Sequence, residues 1–162
     1  MAKLGINAKL YRNTGTYEAT SLSEVTLISD LTVNVVWDEA PADARESRVK
    51  QVLKTMLGLD ITGRMKKKPL DANYEAFMNA LLSDDTMDLF VLDGDFATVG
   101  VRGWRADFLV FSGSEDQAMS NSLYEDLVLK PFVEDHGILA VKVEAGPTFT
   151  YSTPGVDGGT FT

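Results

Sequence analysis

Cysteine is absent from the 162 residues, histidine occurs once, and no apolar run approaches the ~18 residues of a membrane-spanning helix. The first absence removes disulfides, thiolate metal sites and a cysteine nucleophile together, and the chain is expected to fold in a reducing compartment. The single His136 sits in the polar turn "VEDHGI". It cannot form a metal cluster alone, and no GxSxG-like motif supplies a serine for it to activate, so it is expected in solvent. P-loop, GxGxxG and HExxH patterns are all missing. Asp93-Gly94-Asp95 lacks both the third acidic ligand of a calcium loop and its bidentate Glu, Trp104 standing at the twelfth position. Asp84, Asp85 and Asp88 read as a solvated helix end. No cofactor, no metal and no enzymatic activity are expected. The N-terminus shows no basic segment followed by an apolar one, so neither export nor membrane association is indicated, and a soluble protein is expected.

What is present is an ordinary globular composition, 44% hydrophobic, with an uneven net charge of −9. Residues 45–68 hold eight basic and two acidic side chains, a window of +6, and the remainder of the chain carries −15. Such asymmetry suits nucleic acid or a second copy of the chain docked head to tail. The basic "GRMKKKP" has no interleaved aromatics to stack bases, and −9 overall opposes a polyanion at long range. A chain of this length suits one domain burying roughly 70% of its unfolded surface.

Periodicity points to strands. Leu4, Ile6, Ala8 and Leu10 alternate, as do Val25, Leu27, Leu31, Val33, Val35 and Trp37, with the turn Asn13-Thr14-Gly15-Thr16 between the two runs. The stretch 37–47 contains Pro41 and no apolar period, and is expected to project as a loop. In 48–57, Val49, Val52, Leu53, Met56 and Leu57 fit a helix face, while Val49, Leu53 and Leu57 also share a strand face. A strand with a bulge or close approach at Gly63 follows. Asp71 precedes an amphipathic helix carrying Tyr74, Phe77, Met78, Leu81 and Leu82. Further strands are expected in 87–94, 101–113, 120–131 and 137–145. Leu109 and Phe111 fall on one face of the second of these and Trp104, Phe108 and Val110 on the other. The Gly-, Thr- and Pro-rich 146–162, with Tyr151 and Phe161 as its larger side chains, is expected to be disordered alone. These features describe a mainly β protein, a β-sandwich or open barrel of residues 1–145 flanked by one helix, with a projecting loop and a C-terminal arm, 146–162.

The blocks "LGINAKLYRNTGTYEA", "EVTLISDLTVNV", "FVLDG", "GVRGWRADFLV" and "LVLKP", spanning roughly residues 4–131, resemble tail tube (major tail) proteins of long-tailed bacteriophages and prophages. The resemblance implies a β-sandwich with one flanking helix, copies of which form hexameric rings stacked into a hollow tube within the virion tail, made in the host cytoplasm. It also turns 48–57 toward strand. The implied partners are further copies of the chain and other tail proteins, with DNA passing through an acidic lumen without specific binding. Arg12, Asp38, Glu39, Arg45, Arg48, Lys66, Lys67, Lys68 and Tyr151 are the residues expected to contact neighbouring subunits. "RNTGT" then reads as a structural turn. A tail terminator and the inner tube of a contractile injection system share this general sandwich. From other classes, a monomeric barrel would bind a small ligand among Trp104, Phe108 and Phe111, and a DNA-binding module would use Lys66 to Lys68.

Overall fold

Alternation along the chain becomes alternation across a sheet. The computed structural model describes residues 8–41, 52–116, 124–132, 136–145 and 148–153. Its strands are β1 (Lys9–Asn13), β2 (Leu22–Glu24), β3 (Ile28–Pro41), β4 (Val52–Lys66), β5 (Met87–Leu92), β6 (Arg102–Asp116), β7 (Tyr124–Pro131), β8 (Leu139–Glu144) and β9 (Thr148–Ser152). One helix, α1 (Ala72–Leu82), lies between β4 and β5.

All strand pairings are antiparallel, in the order β2-β1-β5-β6-β7-β4-β3, with β8 pairing β6 and β9 pairing β8. The long β6 takes part in two portions of this one nine-stranded sheet. Its first half lies between β5, through Gly103 to Phe108, and β8, through Arg102 to Arg105. Its second half, Phe108 to Asp116, pairs with β7, and a register break between Val110 and Ser112 bends the ladder. Gly103 is required at this junction, because a Cβ there would collide with the carbonyl oxygen of Val91 on β5.

The main core lies where these portions of the sheet and α1 face one another. Leu10, Leu89, Val91, Ala106, Phe108, Leu59, Ile61, Leu127 and Leu129 meet Phe77 and Ala80 of the helix there. The intervening residues of β1 and β5, Tyr11, Phe90 and Leu92, turn to the reverse face and build a second core with Val101, Val141 and Val143 of the β8 side. Two-sided burial explains the apolar run "LFVL" in β5. Asp71 caps α1 by accepting from the backbone N–H groups of Asn73 and Tyr74.

The mainly β architecture with one flanking helix is the one expected, and the sheet is open. Three local expectations are corrected, and one stretch left between helix and strand is decided. Residues 37–41 are strand, not loop, because β3 continues its pairing with β4 out to Pro41↔Val52. Residues 52–57 are strand despite their helical period, since Leu57 and Leu53 stand opposite Trp37 and Ala40 in that ladder. The run 25–37 is not one strand: a turn at Thr26 and Leu27 precedes β3, and the polar loop after β1 returns to β2. Finally, residues 148–152 of the expected arm form β9, which pairs with β8 from Ala140↔Ser152 to Glu144↔Thr148. The break anticipated at Gly63 is a bulge on the facing strand. Asp30 and Leu31 stand between the paired Ser29 and Thr32, opposite Gly63, and Asp30 takes φ 52°. Residues 4–7, 42–51 and 154–162 lie outside the described residues, as do Arg45, Arg48 and Phe161.

Candidate assembly interface

The β3–β4 hairpin outruns its support. Strand β7 pairs with β4 only from Ile61 to Lys66, so among the described residues the part of β4 before Ile61 has β3 as its only sheet neighbour. From Val36 to Pro41 the ribbon extends about 17 Å at ~3.4 Å per residue. It is apolar where an exposed ribbon is normally polar: Val36 is 61% exposed, Leu53 59% and Met56 70%. Trp37 is half-buried, with the Lys54 ammonium 5.5 Å from its ring centroid. Glu39 stands opposite Lys54. A second register break, between Trp37 and Glu39, twists the tip relative to the base. An isolated two-stranded ribbon is marginally stable in water, and contiguous exposed apolar surface marks a contact site. Strands β2, β3 and β9 each pair on one side only among the described residues, leaving edges able to accept another strand.

Away from the hairpin's own contacts, a buried polar cluster fixes the loop after β1 and the strand β9. Asp88 and Asp107 stand directly opposite each other on β5 and β6, a like-charge pairing that needs compensation. Arg105, 2% exposed, supplies it to Asp88 through Nε at 3.0 Å and Nη2 at 2.6 Å. Its remaining donors reach the Tyr17 carbonyl at 2.7 Å and the Tyr151 hydroxyl at 3.1 Å. The guanidinium lies 3.8 Å from the centroid of the Tyr17 ring. On that ring His136 stacks at 3.5 Å and 4°, with Nδ1 2.8 Å from Asp107 Oδ2. His136 is therefore not a free turn histidine as expected: its ring completes the stack and its Nδ1 sits within hydrogen-bond distance of the second carboxylate. Burial opposes the Arg105 charge, but the hydrogen bonds and charge of Asp88 outweigh it and raise the guanidinium pKa. Burial raises the phenol pKa of both Tyr17 and Tyr151, against the lowering effect of Arg105. The sequence signal for the cluster was a charged pair, Arg105 and Asp107, on one face of a strand buried on both sides.

The residues expected at interfaces are dispersed. Asp38 and Glu39 are exposed on the hairpin, and Lys66, Lys67 and Lys68 connect β4 to α1. Arg12 turns inward, its Nε donating to Asn73 Oδ1 at 2.9 Å and tying β1 to the helix. Tyr151 is engaged by Arg105 yet keeps 37% exposure. The "RNTGT" turn is held by Asn13, whose Oδ1 accepts from Gly15 and Ser21 N–H groups, as a structural turn should be. The trio read as a ligand site is not brought together: Phe108 is fully buried, Phe111 is 59% exposed on the opposite face of β6, and Trp104 lines a separate open groove of about 550 Å³ with Val33, Val35 and Val91. Among the described residues no group of three or more His, Asp or Glu could hold a metal ion, and no helix is long and apolar enough to cross a membrane.

No family model and no curated protein matches the sequence. Solved structures do match the fold. The tail of an empty gene transfer agent particle with C6 symmetry aligns with TM-score 0.67 at 11% identity, over 94% of this chain and 100% of the other. The SPP1 tail tube aligns with TM-score 0.69 at 11% identity, over 90% and 82%. A sheath/tube terminator of an extracellular contractile injection system aligns with TM-score 0.60 at 8% identity, over 86% and 96%. The chain thus shares the fold of tail tube and tube-terminator proteins.

Proposed function

We propose that this chain is the structural subunit of a phage-type tail tube, without enzymatic activity, whose copies form rings that stack into a hollow conduit for DNA in a virion tail. The observation that carries the reading is the β3–β4 hairpin, an unsupported ribbon with Val36, Leu53 and Met56 exposed. A monomer gains nothing from such a ribbon; a neighbouring copy that covers it recovers the hydrophobic stabilisation of each side chain, about 1.5–3 kcal/mol when fully buried. The shared fold with chains of assembled tails supports the same reading. Open edges at β3 and β9 suit a heterologous contact that closes into a ring. The net charge of −9 suits a conduit that must not retain DNA. The tail, assembled from subunits made in the host cytoplasm, is the site of action, with other tail proteins as further partners.

The experiment is Val36→Asp with Met56→Asp. Both side chains are exposed in the subunit, so its melting temperature should stay within a few degrees of the parent's while sedimentation shows loss of all large species. Unchanged assembly of the double variant would contradict the role given to the hairpin. The likeness to a tube terminator favours a second reading, a capping ring. Rings that form but never stack would support it.

A further inference from the structure

Lys68, Pro69, Leu70 and Asp71 form a tight turn, closed by the Asp71 N–H donating to the Lys68 carbonyl at 3.2 Å. Proline in the second position and φ 71° in the third make it a type II turn, whose third position calls for glycine. This chain places Leu70 there, 93% exposed. The backbone is held in place by the Leu70 N–H donating to Glu75 Oε1 at 3.3 Å. A branched side chain in the left-handed region is a strained choice that makes no use of the core.

The charges around α1 are as unfavourable for a lone subunit. Lys66, Lys67 and Lys68 precede the positive end of the helix macrodipole, where Asp71 caps the helix and Glu75 lies in its first turn. Exposed Asp84 and Asp85 follow its negative end, and the last turn holds no basic residue. The acidic end also carries an exposed leucine, Leu82 at 86%. The helix therefore has two poles: lysines with Leu70 at one, aspartates with Leu82 at the other, joined by a rigid rod of about 16 Å.

We infer that the two poles are mates, the Leu70 pole of one copy docking on the Leu82 pole of the next in a heterologous contact that sets helix dipoles head to tail. The inference rests on the self-assembly reading above, and names a contact separate from the hairpin. The occupant is a second copy because the complement to each pole, in charge and in apolar character, is the other pole of the same chain.

Leu70→Gly tests it with effects of opposite sign. Glycine relieves the turn and removes no core contact, so the subunit's melting temperature should equal or exceed the parent's, while the critical concentration for assembly rises at least about tenfold with loss of one buried leucine. Lys66→Glu with Lys68→Glu should block assembly, and adding Asp84→Lys with Asp85→Lys should restore it, since every copy then carries both poles reversed. A parent that assembles while Leu70→Gly assembles equally well, or a quadruple variant that stays blocked and folded, overturns the pole contact and leaves the tube reading standing. A parent that never assembles overturns both.

Discussion

Arg105 is the residue on which most of the buried polar chemistry depends. Its guanidinium joins Asp88, the Tyr17 carbonyl and the Tyr151 hydroxyl, and so fastens the loop after β1 and strand β9 to β6. Removing it leaves Asp88, with a side chain 13% exposed, facing Asp107 across the ladder with Asn13 Nδ2 as its remaining side-chain donor in the cluster. Arg105→Met should therefore cost the subunit about 3 kcal/mol in urea denaturation, the scale for breaking a buried ion pair. The tyrosines give the cluster a pH signature. Folding raises the phenol pKa of Tyr17 and Tyr151, so between the unfolded value near ~10 and the higher folded value the native state binds more protons. Stability from these groups is present below about pH 10 and falls as pH climbs through the folded pKa values. Tyr151→Phe should weaken that alkaline decline, read as melting temperature against pH. In the sequence, Arg105 and Asp107 were passed over, although two charges in a strand expected to be buried on both sides were a signal that could have found them. Their partners carried no such signal, because the opposition of β5 to β6 and the return of Tyr17 are matters of topology that no local pattern encodes.

The elements were legible where one face is buried and the period is clean. Helix α1, with its Asp71 cap and the Tyr74, Phe77, Met78, Leu81 stripe, lies where the sequence places it, but Leu82, expected in that stripe, is exposed at the helix end. The ambiguous stretch before Gly58 shows the limit: Val52, Leu53, Met56 and Leu57 fit a helix, yet pairing with β3 decides the outcome, and cross-strand neighbours outweigh a local period. The extent of β3 was missed for a related reason. Trp37 to Pro41 have no alternation because both faces of the tip are exposed, so no burial pattern marks them as strand. Strand β9 was hidden by Gly and Pro on both sides of five strand-forming residues. Gly103, where β6 pairs with both β5 and β8, yields the test at this scale. Gly103→Ala should destabilise the subunit by about 3 kcal/mol, because β5 and β6 must separate to admit the methyl group, and thermal denaturation of the dilute subunit measures it.

At the scale of the whole molecule, two features make sense only in company. An acidic body carries a basic window, and a well-packed sandwich carries a ribbon whose Val36, Leu53 and Met56 are exposed. The asymmetry of charge was readable from composition alone. The apolar ribbon was not, because exposure is a property of the assembled fold, and in the sequence Leu53 and Met56 fall on an apolar face that looks like core. Both features are resolved if copies of the chain cover one another in a closed ring and the rings repeat. The most direct measurement is negative-stain electron microscopy of the full chain across a concentration series, with light scattering on the same samples. The account requires rings or hollow tubes above a critical concentration; a particle that remains monomeric at every concentration would contradict it.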